Sequence, residues 1–215
     1  MRTSVVAGIA LVALYAGSAN GQVAGITSRT SIGPIVGLNY TSVYGSDIQG
    51  ADSRADFAVG GQLDFESPGY VFFRTGLIYS RRGFKESDSG ISAQFKINYL
   101  ELPLLVGYRF PTSGGVRPYF MGGGQLGFKV GCTVEGSSGG VTESFACDDP
   151  NLGGGDFSST DFAIVGGGGL ALPVGLNHLN IDVRYAVGLV KIEKSSEVKN
   201  RGFTFGLGFM MPIGK

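Results

Sequence analysis

Large apolar residues and small or polar residues alternate along most of the chain. From Gly202 to Ile213, Phe203, Phe205, Leu207, Phe209, Met211 and Ile213 take every second place. Thr204, Gly206, Gly208, Met210 and Pro212 stand between them. A period of two predicts an extended strand whose successive side chains point to opposite faces. The same pattern predicts seven further strands. The eight segments cover residues 30–43, 55–66, 70–82, 93–110, 117–130, 161–172, 178–190 and 202–213. No segment after the N-terminus carries a helical period.

The connections between these segments alternate in length. Residues 67–69, 111–116 and 173–177 are short turns, whereas 44–54, 83–92, 131–160 and 191–201 are longer and polar or charged. Alternating short turns and long loops around an even number of strands is the plan of an outer-membrane barrel. On that plan the short turns and both chain ends are periplasmic, and the long loops face outside.

Each strand has a large apolar face and a small or polar one. Phe57, Val59, Leu63 and Phe65 oppose Gln62, Asp64 and Glu66; Val71, Phe73, Leu77 and Tyr79 oppose Arg74, Ser80 and Arg82. Leu100, Leu102, Leu104, Val106 and Tyr108 oppose Glu101 and Arg109; Phe120, Leu126 and Phe128 oppose Tyr119, Gln125 and Lys129. Ile181, Val183, Tyr185, Val187 and Leu189 oppose Asp182 and Arg184. The first strand is weaker, with Ile32, Val36, Leu38 and Tyr40 against Gly33, Gly37 and Asn39. A soluble lipocalin-like barrel would turn the apolar face inward around a ligand. A membrane barrel turns it outward to lipid.

The charges decide the expectation. Asp64, Glu66, Glu101 and Asp182 against Arg74, Arg82, Arg109, Lys129 and Arg184 fall mid-strand and nearly balance. An eight-stranded barrel is just wide enough inside to be filled by side chains, and charges enclosed there must be paired. Gly167, Gly169, Gly206 and Gly208 on the same face leave room for long Arg and Glu side chains. The expected fold is therefore an all-β, eight-stranded antiparallel up-and-down transmembrane barrel, closed by pairing of the last strand with the first. Tyr40, Tyr79, Tyr108 and Phe128 at the strand ends suit interfacial aromatic girdles.

Composition sharpens this picture. Of the 215 residues, 17 are basic and 17 acidic, so no net positive charge supports nucleic-acid binding. The basic Arg2, the apolar run 5–15 and the small residues Ala16 to Gly21 read as a signal peptide spanning 1–21, cleaved before Gln22, with the barrel domain at 22–215. Cys132 and Cys147 lie close together in a Gly/Ser/Asp-rich stretch, and in an exported chain such a pair reads as a disulfide.

The block Asn98-Tyr99-Leu100-Glu101-Leu102-Pro103-Leu104-Leu105-Val106-Gly107-Tyr108-Arg109-Phe110 resembles the PorT-like family of small outer-membrane β-barrels. So do Arg117-Pro118-Tyr119-Phe120, the glycine runs 122–124 and 166–169, and the stretch 182–189. The resemblance covers about Ile32 to Ile213. It implies a barrel in a Gram-negative outer membrane, mostly without an assigned activity. The last aromatic residue is Phe209, not the final residue.

No catalytic constellation is present. The single histidine, His178, falls at a predicted periplasmic turn, where a solvated or interfacial side chain is the simpler reading. Asp148, Asp149 and Asp156 match no calcium-loop spacing. Gly166 to Gly169 is followed by no lysine or helix, so it reads as barrel wall and not as a phosphate loop. No cofactor or metal is expected. Glu101 with Arg74, Arg109 or Arg184 reads as a structural plug before it reads as a proton relay. The expected partners are outer-membrane lipid and, through the 131–160 segment, an extracellular ligand or protein. The expected state is a monomeric, non-enzymatic barrel, the alternative being a narrow passive channel.

Overall fold

The structure is a computed structural model. It describes residues 29–46, 48, 51–88, 91–138, 141–147 and 157–214. The expected signal peptide with its cleavage site, and Asp148, Asp149 and Asp156, lie outside the described residues.

The strands are β1 (Arg29–Tyr44), β2 (Asp52–Glu66), β3 (Val71–Asp88), β4 (Ile91–Arg109), β5 (Arg117–Ser138), β6 (Val141–Ala146), β7 (Thr160–Val174), β8 (Asn177–Lys191) and β9 (Lys199–Ile213). All pairings are antiparallel. Each strand of the ring pairs with its neighbours in the order β1-β2-β3-β4-β5-β7-β8-β9, and β9 returns to β1 from Thr30↔Ile213 to Tyr44↔Lys199. The barrel is thus closed by eight strands. Closure leaves no unpaired edge in the ring itself, as spanning a bilayer requires.

β6 is outside that ring and, among the described residues, pairs only with β5. It arises within the segment expected to be the longest loop, because the alternation changes phase there. The β4–β5 register passes from Tyr99↔Lys129 to Asn98↔Gly131, so Val130 is an extra residue in a bulge. The bulge turns Cys132 and Val134 to the face that odd-numbered residues occupy below it. β5 then runs on to Ser138 and folds back as β6. Residues 83–92, also expected as a loop, are likewise mostly strand, continuing β3 and β4.

The faces are unambiguous. Leu104 is 42% exposed while its neighbour Leu105 is 0% exposed. Leu38, Val59, Leu77, Ile164, Phe205 and Leu207 are exposed as well. Apolar side chains therefore line the outside, which overturns the lipocalin-like alternative. Aromatic residues gather at two levels. Tyr70, Tyr108, Phe110 and Phe120 contact one another near the short turns, and Tyr185 meets Phe203 near the long hairpins. From Phe57 to Phe65, β2 rises about 26 Å at roughly 3.3 Å per residue. A tilt of about 40° brings that to about 20 Å, near the apolar band of about 25 Å in such barrels.

The interior is more mixed than the polar lining expected. Phe72, Leu105, Tyr119, Met121, Ala163 and Val165 pack together in the lumen, and Ile35, Ala58 and Ile78 form a second cluster. At the short-turn end the Val174–Asn177 hairpin is made by Gly175 at φ 62°, a left-handed conformation suited to glycine.

Candidate functional site

The lumen holds the chemistry, and strand register decides who meets whom. Asp64 and Arg74 are directly paired across β2 and β3. Arg74 donates from Nε to Asp64 Oδ1 and from Nη2 to Oδ2, both at 2.8 Å. Its Nη1 reaches Asp182 Oδ2 at 3.0 Å. Arg109 Nη2 lies 3.2 Å from Asp64 Oδ2, and its Nη1 lies 2.5 Å from Glu66 Oε2. Arg117 closes the other side of Glu66 at 3.0 Å. Arg184, on the same face of β8 as Asp182, donates from Nε to Asp182 Oδ1 at 2.8 Å. Opposite Asp182 on β9 stands Gly206, whose Cβ would fall 2.8 Å from Asp182 Oδ1 and 3.0 Å from Arg184 Nη2. The glycine leaves the space this pair occupies.

Aromatic rings support this lower tier. The Arg74 guanidinium lies 5.0 Å from the Tyr119 ring and 5.2 Å from Phe72, and Arg109 lies 4.8 Å from Phe72. The Tyr119 hydroxyl donates to Asp182 Oδ2 at 2.9 Å. Cation–π contacts in a desolvated setting contribute about 2 kcal/mol.

A second tier lies toward the long hairpins. Arg82 Nε is 2.7 Å from Glu101 Oε1. Asn200 Nδ2 donates to Asp161 Oδ2 at 3.0 Å and to the Tyr99 hydroxyl at 3.1 Å. Between the tiers is a cavity of about 20 Å³, bordered by Arg82, Glu101, Gln125, Arg184 and Thr204. That is room for about one water. Above the second tier, Val43, Phe84, Ile97, Tyr99, Ile192 and the two cysteines form an apolar cap.

Glu101 was expected near Arg74, Arg109 or Arg184; its partner is Arg82, because the other three are taken by Asp64, Glu66 and Asp182. Lys129 stands opposite Tyr99 across β4 and β5, with its Nζ 5.5 Å from the centre of the Phe157 ring. Asp161, Arg117 and the Tyr119 hydroxyl belong to the tiers but were absent from the expected charge set. The two strand-end residues flank turns, where alternation gives the weakest signal. Tyr119 was placed on the polar face without a charge to mark it. His178 lies beside the short turn, as expected, as the second residue of β8. It is half-buried in β8 and borders a short-turn mouth of about 770 Å³ with Arg29, Glu66 and Arg117.

Cys132 and Cys147 form a disulfide with Cα atoms 5.3 Å apart. It ties the end of β6 to β5 at the apolar cap. Closing a loop of this size constrains the unfolded chain by roughly 3 kcal/mol. Among the described residues no group of three or more His, Cys, Asp or Glu is placed to hold a metal ion.

A closed barrel with an apolar exterior and a charged, filled interior matches one family model, the outer membrane protein beta-barrel domain, over residues 18–194. The chain belongs to this family. Among solved structures, this outer-membrane barrel is similar to OprG from Pseudomonas aeruginosa at 12% identity, covering 88% of this chain and 97% of that one, with a TM-score of 0.51. It is similar to Neisserial surface protein A at 15% identity, covering 86% and 97% with a TM-score of 0.47. Ail of Yersinia pestis, in complex with the heparin analogue sucrose octasulfate, is similar at 19% identity, covering 85% and 99% with a TM-score of 0.44. Likeness at these identities bears on the fold alone. No curated protein matches the chain.

Proposed function

We propose that this outer-membrane barrel is non-enzymatic and closed to solutes, and that it acts through what its long-hairpin end presents, in recognition or in envelope integrity. The observation that carries this reading is the filling of the lumen. Two tiers of ion pairs and an apolar cap occupy the interior in series. Across the two tiers together five arginines stand against five carboxylates, and eight strands leave no aqueous channel. Within the family, the Tyr99–Leu105 block supports a place among the PorT-like barrels of Gram-negative bacteria. The alternation of turns and hairpins supports periplasmic chain ends, with residues 1–21 removed on export. A ring closed within one chain satisfies its backbone without a second copy, which supports a monomer.

Planar-bilayer recording tests this reading. The purified protein is expected to give no discrete conductance steps in molar potassium chloride. Reproducible steps that vanish on heat denaturation would establish the narrow-channel alternative instead.

A further inference from the structure

Closing a barrel removes sheet edges, yet outside the ring β6 has one edge that no strand covers among the described residues. β6 is exposed at every residue, with Val141 65% exposed. On one side it pairs with β5, from Thr133↔Ala146 to Ser138↔Val141. On the other, no strand pairs with it among the described residues. The Cys147 N–H donates to the Cys132 carbonyl at 3.3 Å, so odd-numbered residues turn their backbone groups toward β5. By the alternation of an antiparallel ladder, Thr142, Ser144 and Ala146 turn theirs away, toward the open side.

The side chains of β6 alternate too. Val141, Glu143 and Phe145 share one face, and Thr142, Ser144 and Ala146 the other. Thr142 is engaged with Ser137, their hydroxyls 2.8 Å apart. Glu143 has no ion-pair partner among the described residues, whereas Glu135 on the adjoining strand is paired with Lys96. Natural edges are usually blunted by lysine, proline or a bulge. Val-Thr-Glu-Ser-Phe-Ala contains no lysine or proline, and no bulge interrupts its pairing with β5.

We propose that the β6 edge takes an extended polypeptide strand that adds to the sheet by main-chain hydrogen bonds, with an apolar–basic–apolar sequence on the face opposite Val141, Glu143 and Phe145. Main-chain pairing supplies affinity, and the alternate side chains supply selectivity. Opposite charges facing each other across strands are favourable, and like charges are not. A second copy of β6 is the poorer occupant, because it contains no basic residue to set against Glu143. The proposal deepens the reading of the long-hairpin end as the recognition end. Its test is independent of that reading, since both ends of the barrel meet solution in a detergent micelle.

The probe is a fluorescein-labelled synthetic strand with the core Thr-Val-Thr-Lys-Thr-Val-Thr, titrated by anisotropy against the refolded protein in micelles. A second peptide carries Glu in place of Lys, and a third carries the Lys core with alternate backbone amides N-methylated. The Lys peptide is expected to bind at least tenfold tighter than either. Glu143→Lys should invert the preference between the Lys and Glu peptides. Ser144→Pro removes an outward-facing N–H without touching the β5 pairing, a place where an edge strand tolerates proline, and should weaken the Lys peptide at least tenfold. Both variants are checked for heat-modifiable gel mobility and an intact disulfide. Equal binding of the methylated and unmethylated peptides, no binding of the Lys peptide by the folded parent, or no inversion in Glu143→Lys would overturn the proposal. Such a failure would leave the conductance result standing.

Discussion

Asp64→Ala is expected to destabilise the barrel by roughly 3–5 kcal/mol, the range for removing one partner of a buried ion pair. Asp64 accepts both forks of Arg74, with further contacts from Arg109 at 3.2 Å and Asn180 at 3.4 Å. Arg74 and Arg109 are both 0% exposed. Without Asp64, two buried guanidiniums must share Asp182 and Glu66, which already serve Arg184 and Arg117. A desolvated charge left short of partners is far more unfavourable than a lost surface pair. Asp64→Asn should be milder than Asp64→Ala, since the amide oxygen still accepts from one arginine. Joint replacement of Asp64 by Leu and Arg74 by Met should lose less than the sum of the single changes. Urea midpoints of the refolded variants, read from gel mobility with and without heating, measure all of these. An Asp64→Ala midpoint equal to that of the parent would show that the lower tier is not a desolvated network.

Leu104→Arg is expected to oppose membrane insertion by roughly 2–4 kcal/mol, the penalty for a basic residue on the lipid face at the midplane of a barrel. Leu104 sits between Thr75 of β3 and Gly124 of β5, well away from both aromatic levels. Its outward direction is fixed by the same pleat that buries Leu105. The folded yield in phospholipid vesicles should drop sharply, while Leu104→Phe, which keeps an apolar outer face, should insert like the parent. Insertion of Leu104→Arg with parental yield and heat resistance would reverse the assignment of the faces.

How much of this was legible beforehand depended on whether the alternation kept its phase. Where the register runs unbroken, as from Ala58 to Glu66 in β2, from His178 to Val187 in β8 and along β9 against β1, the pattern places each side chain and closes the ring. At Val130 one extra residue inverts the phase, so Cys132, Val134 and the whole of β6 lay hidden in an apparent loop. Composition was a poor guide there, because Gly, Ser and Thr serve both in turns and on exposed strands. Within the lumen, alternation shows which charges share a face but not their heights. Height depends on the shear between strands, which sets Arg82 beside Glu101 and Arg74 beside Asp182. The aliphatic share of the interior, such as Ile35, Ile78 and Val165, was masked by attention to the charges on the same face.

One face of each of the eight ring strands meets lipid, and the other is sealed in the lumen. Two adjacent methionines test it in a single dipeptide. Met211 is 41% exposed on the outer face, whereas Met210 is 0% exposed inside the barrel, with Met121 also buried in the lumen. Methyl-labelled methionine would give a resonance for each in a micelle or bicelle, with Met211 assigned through Met211→Leu. Adding a doxyl-labelled lipid should broaden the Met211 methyl strongly and leave Met210 and Met121 sharp. Broadening of Met210 or Met121 with Met211 spared would contradict the account.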